Sequence, residues 1–175
     1  MKILKYVLYT ILFLYVAVIF LPKENFYFFA EHKLNERKII LSNETLSDFM
    51  GVFTAQEAHV SYYGDDIAQI DTIRIVPFIL YNEAALESLH VSKKFQSFIP
   101  SEIDAVKIKF TPLYPTKLWL SADGDFGEIR GSYNMYDKKL RLILNPQEYF
   151  KQKYPTIYRE FKDMDGELIY ESSFE

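Results

Sequence analysis

Residues able to do chemistry are scattered along this sequence, and few stand at spacings that would let them act together. Asp125-Phe126-Gly127 spells the magnesium-binding triplet of protein kinases. That triplet works only beside a glycine-rich loop, a strand lysine and a catalytic loop, and the sequence has none of them. Asp163-Met164-Asp165-Gly166 opens like a calcium loop, but Ser172 stands where the loop needs its bidentate glutamate. Asp123 and Asp125 flank Gly124, which reads more simply as hairpin chemistry than as an acid–base pair. His32, His59 and His90 lie far apart, and none has a second ligand at helical or strand spacing. With 0 cysteines, disulfides, thiolate metal sites and cysteine nucleophiles are excluded. No serine sits in a G-x-S-x-G turn, and the 6 glycines build no phosphate-cradling loop. An acid and a base could still meet among the 24 carboxylates, because such pairs carry no sequence signature. The expectation is a protein that is not an enzyme, with no catalytic, cofactor-binding or metal-binding residues.

The side chains with most to offer a partner are aromatic: 15 Phe, 14 Tyr and 1 Trp. Trp119 alternates with Leu118 and Leu120, so it lies on the face opposite to them, with Lys117 and Ser121. Tyr62, Tyr114 and Tyr133 join it as candidate partner-binding residues, since a large aromatic on a mixed face can anchor a protein contact. The competing reading is a core that uses both faces of the sheet.

The elements that must position these residues follow from periodicity. Phe26, Phe29, Ala30 and Leu34 recur at helical spacing, which predicts a short amphipathic connecting helix over 23–37, starting near Pro22 or Asn25. From Lys38 the period becomes two. Strands are expected at Lys38–Ser42, Ala58–Tyr63, Ile67–Tyr81, Ala105–Thr111, Lys117–Ser121, Phe126–Tyr133, Lys139–Leu144 and Glu167–Glu171. Pro77 argues that its strand is an edge or contains a bulge. Helical turns are expected at Leu46–Met50 and Glu83–Leu89, and a broken helix over Pro146–Lys162. The fold class is therefore mainly β with some α: an antiparallel sheet of about seven to nine short strands, flanked by a few helices, over 38–175.

Residues 1–22 are different in kind. Lys2 and Lys5 precede Tyr6–Leu21, a run without charge in which Thr10 is the small polar residue. Sixteen residues span roughly 24 Å, and Ile3, Leu4 and Pro22, with the lysines snorkelling, extend this toward the bilayer core of about 30 Å. The segment reads as a single transmembrane anchor, with Tyr6, Leu12, Phe13, Val16 and Phe20 among its lipid-facing residues. A cleaved signal peptide would need small residues before the cut, but Val18-Ile19-Phe20-Leu21 are bulky. The lysines favour a cytoplasmic N-terminus and a periplasmic domain at a bacterial inner membrane. Without Lys2 and Lys5, residues 23–175 hold 18 basic and 24 acidic side chains, a net −6. That charge argues against electrostatic adhesion of the domain to an anionic lipid surface, and the whole chain's net −4 argues against nucleic acid as a partner.

The order of these elements resembles the N protein of type II secretion systems and, more distantly, AsmA-like periplasmic proteins. The resemblance lies in the anchor with Pro22–Leu34, then Ile70–Leu80 (IDTIRIVPFIL), Phe110–Pro115 (FTPLYP), Leu118–Asn134 (LWLSADGDFGEIRGSYN) and Leu140–Pro146 (LRLILNP). It implies an accessory, structural subunit of an envelope-spanning machine for secretion, competence or flagellar assembly, with other subunits and the bilayer as partners and no catalytic residues. It also implies, as the alternative, an AsmA-like lipid-handling module. The chain is short for that family, whose groove stacks many strands; about eight would give only a stub.

Overall fold

The computed structural model describes residues 2–20, 23–49, 51–78 and 80–174. Alternating apolar residues joined by tight turns give, among the described residues, eleven strands in one antiparallel sheet. In chain order these are β1 (Ile39–Ser42), β2 (Thr45–Phe49), β3 (Val52–Tyr62), β4 (Asp65–Pro77), β5 (Asn82–Val91), β6 (Glu102–Phe110), β7 (Lys117–Gly124), β8 (Gly127–Asn134), β9 (Lys139–Pro146), β10 (Lys162–Met164) and β11 (Glu167–Ser173). The sheet is a meander from β3 to β9, closed by β11 and then β10. At the other edge β1 and β2 both pair with β3 in one unbroken register, Ile39 opposite Tyr62 and Thr45 opposite Gln56.

Three expectations are corrected here. Leu46 and its neighbours form β2 rather than a helical turn, and Met50 lies outside the described residues. Glu83–Leu89, rich in helix formers, lies within β5, because ladders to β4 and β6 satisfy its backbone on both sides. Pro77 is neither at a sheet edge nor in a bulge; it is the last residue of β4, opposite Asn82, where its missing donor costs little. Strand count also exceeds the expectation, since β2, β5 and β10 carry weak β signals of their own.

One apolar row crosses eight strands in register: Ala55, Ile73, Leu86, Val106, Ala122, Ile129, Leu144 and Leu168. Beside it runs a second, Ala58, Ile70, Leu89 and Ile103, three residues away on each strand rather than two. Strict alternation would put these two rows on opposite faces. Glu57 and Ser88, at φ 60° and 55°, rotate the chain between them. The resulting crease lets both rows face the same side, with Glu57, Asp71 and Asp104 exposed on the other.

Helices cover that apolar face at two places. α2 (Glu24–Glu36) lays Tyr27, 2% exposed, against Phe53, Ala55 and Ala58. The packing stripe is thus offset from the expected one: Phe29 is exposed, and the side chain of Phe26 lies outside the described residues. α3 (Phe150–Lys153) and α4 (Pro155–Glu160) seat Phe150 and Tyr154 over Phe126 and Leu144. Pro155 opens α4, where its missing N–H is harmless.

α1 (Lys2–Phe20) precedes all of this, and Tyr6, Leu12, Phe13, Val16 and Phe20 are exposed on it. Among the described residues no helix is long and apolar enough to cross a membrane. Tyr15 makes an edge-to-face contact with Phe78, centroids 6.0 Å apart, where α1 nears the β4–β5 connection. Lys23, fully buried at the head of α2, donates to both oxygens of Asp48 at 3.1 and 3.2 Å.

Candidate functional site

The two helical covers leave the middle of the apolar face open. Between them lies a groove of about 510 Å³ running along β4, β5 and β6. Ile73, Ile75, Leu86, Leu89, Val106 and Ile108 form its floor, while Ala30 and Leu34 of α2 form one wall. Glu31 is the one carboxylate among its lining residues and Tyr27 the one hydroxyl. Burial, and then the Glu44 carboxylate nearby, push the Tyr27 hydroxyl well above the usual tyrosine range, so it stays neutral. Toward the β4–β5 connection the groove meets a smaller hollow of about 210 Å³, which shares Ile75, Ala84 and Ile108 and reaches Pro77 and Phe110. From Val91 to Ala84 the strand direction gives the groove a length of about 23 Å, at about 3.3 Å per residue.

Periodicity alone assigns these aliphatic side chains to the core. The clue to an open groove lies in their number: β4, β5 and β6 supply two apolar rows, and α2 is too short to cover both.

A polar cluster is equally hidden from periodicity. Asp125 Oδ2 accepts from Ser101 Oγ at 2.6 Å, Lys153 Nζ at 2.7 Å and Tyr154 Oη at 2.5 Å. The Ser101 backbone N–H donates to Tyr154 Oη at 2.9 Å. Burial alone would raise the Asp125 pKa, but the hydrogen bonds from Lys153, Ser101 and Tyr154 outweigh it and hold the carboxyl below its usual range. Lys153 is correspondingly raised, chiefly by its bond to Asp125. These residue types could activate a serine, yet the Ser101, Lys153 and Tyr154 side chains all donate to one carboxylate oxygen, and none of these four residues lines a described cavity. The cluster ties the β5–β6 loop, the β7–β8 turn and α3 together. A charged cluster on the face away from the groove does the same for three strands: Glu83 accepts from Tyr81 and lies 3.6 Å from Arg74 and 3.7 Å from Lys109. The Tyr81 hydrogen bond, above all, lowers the Glu83 pKa.

The aromatic candidates separate. Trp119 is level with Lys109, Ser132 and Arg141, on the face away from the groove, and Tyr114 meets it edge-on at 5.9 Å. Tyr133 is level with Leu118 and Leu140, one row on and therefore on the opposite face, packed edge-on against Phe174. Tyr62 lies at the far end of β3, stacked edge-on with Tyr63. Of the four candidates, Trp119 and Tyr114 alone form a common patch. His32, His59 and His90 stay apart, and among the described residues no three His, Asp or Glu side chains gather closely enough to hold a metal ion.

Compared with protein-family models, curated proteins and solved structures, the chain matches none of them.

Proposed function

We propose that this chain is a membrane-tethered β-domain that holds the hydrocarbon part of a lipid in the groove between its helical covers. The groove carries the reading, because its walls are aliphatic apart from Glu31 and Tyr27. Water there would find too few hydrogen-bond partners, and a polar ligand would leave its groups unpaired. A methylene chain loses nothing. The bilayer core of about 30 Å holds two leaflets, so one acyl chain spans about 15 Å and fits within the groove.

Energetics favour exchange over capture. Each methylene taken from water is worth about 0.8 kcal/mol. A chain leaving a bilayer was never in water, so the groove need only match the membrane. The tether is built on α1, which by itself is not long and apolar enough to cross a membrane and whose described side chains find little cover on the sheet. The apolar sequence continues through Leu21, and we include it in the anchor. The sheet then stands on the non-cytoplasmic side of a bacterial inner membrane, and the groove has the length for a single chain.

A second reading keeps the protein as an accessory subunit of an envelope-spanning machine, docking other subunits. The Tyr114–Trp119 pair favours it, since Tyr114 is 63% exposed beside a ring that could anchor a contact.

Native mass spectrometry of the full chain, extracted in mild detergent, tests the first reading. One phospholipid or fatty acid should travel with each chain, and Ala84→Phe, which fills the groove, should reduce that occupancy. A lipid-free chain, or equal occupancy in the variant, counts against it. An alkaline carbonate wash should leave the chain in the membrane pellet, and release would remove the tether.

A further inference from the structure

The meander sorts its connections to two ends. The β2–β3, β4–β5, β6–β7 and β8–β9 hairpins turn at the end where Lys23 meets Asp48 and where α1 touches Phe78. Their tips expose apolar side chains: Phe49 at 70%, Phe78 and Leu80, Leu113 at 70%, Tyr114, and Tyr136 at 82%. Four separate connections would not each expose a large apolar group without a common reason, since scattered single residues are usual and a row of tips is not.

Charge follows the same division. The connections at this end, 49–51, 78–81, 111–117 and 134–139, carry Lys117, Lys138 and Lys139 against Asp137 alone, although the chain as a whole is net −4. Connections at the opposite end also expose Tyr63, Phe98 and Tyr149, but this end carries the carboxylates Asp65, Asp66 and Glu148, which resist transfer out of water and are repelled by anionic headgroups. The smaller hollow reaching Pro77 and Phe110 opens the groove toward the apolar tips.

We propose that these four hairpin tips form a second, peripheral contact with the bilayer, standing the sheet upright on the surface with the mouth of its groove at the headgroups. Aromatic tips suit that depth, and the lysines meet anionic headgroups. This rests on the tether proposed above and adds to it the orientation and the port of entry: a lipid tail would pass between the β4–β5 and β6–β7 tips without crossing water.

The chain's lack of cysteine makes the test direct. Single substitutions Leu113→Cys, Tyr136→Cys, Phe98→Cys and Leu12→Cys are spin-labelled in the full chain. The labelled chains are reconstituted into vesicles of phosphatidylethanolamine and phosphatidylglycerol. Collision with oxygen, which partitions into lipid, is compared with collision with a water-soluble nickel chelate. The Leu113 and Tyr136 labels should show an oxygen preference several-fold above that of Phe98. Tip labels as wet as Phe98 overturn the proposal and return Tyr114 to protein docking; if Leu12 still reports lipid, the tether stands and only the second contact falls. Dry tips with a wet Leu12 would keep the contact and remove the tether instead.

Discussion

Gly131 illustrates how narrowly the sheet is built at single positions. It faces Leu120 and Leu142 across its two neighbouring strands, and a Cβ added to it would stand 2.2 Å from the Arg141 carbonyl oxygen. The obstacle is backbone, so Gly131→Ala should cost about 2 kcal/mol and lower the thermal midpoint by several degrees in a melt followed by circular dichroism. Asp125 tests electrostatics. Its folded pKa lies below the ordinary value of about 3.9, so its stabilisation is present above that pH and is lost as pH falls through the folded pKa. In urea titrations at a series of pH values, Asp125→Asn should be less stable than the parent near neutrality. The two curves should converge in acid; a gap unchanged down to the lowest pH would contradict the assignment. This cluster was illegible in the sequence. Ser101, Asp125 and Lys153 are distant in the chain, and only the meander brings the β7–β8 turn under α3.

At the scale of elements, the crease explains both what could be read and what could not. β9, and β6 from Val106 onward, alternate cleanly, and Val106, Ile108, Leu140 and Leu142 fall on the expected face. β5 was obscured because its apolar residues Leu86 and Leu89 stand three apart, a helical spacing, around a left-handed Ser88. Two substitutions there should diverge. Ser88→Gly, which removes the strain of a positive φ, should hold or raise stability by up to about 1 kcal/mol, whereas Ser88→Val should lower it by about 2 kcal/mol. Chemical denaturation measures both, and equal effects would mean that the crease is not under backbone strain. The head of α2 offers another test. Asp48→Ala removes a carboxylate that meets the fully buried Lys23, and should cost on the order of 3 kcal/mol.

For the whole molecule, the consequential fact is that an apolar row crosses eight of the eleven described strands while the helices cover only its two ends. A sheet of this size with an uncovered middle is a liability in water and an asset beside a membrane. Composition announced the excess of apolar side chains, but not where the cover would stop, because cover depends on which rows the crease brings together. The most direct test of the groove's occupant is a phospholipid bearing a diazirine midway along one acyl chain, photolysed in membranes containing the full protein. A lipid held in the groove gives crosslinked peptides from β4, β5 and β6, centred on Ile75, Ala84 and Ile108, and these are lost in Ala84→Phe. Crosslinks confined to α1, with those strands unlabelled, would contradict it.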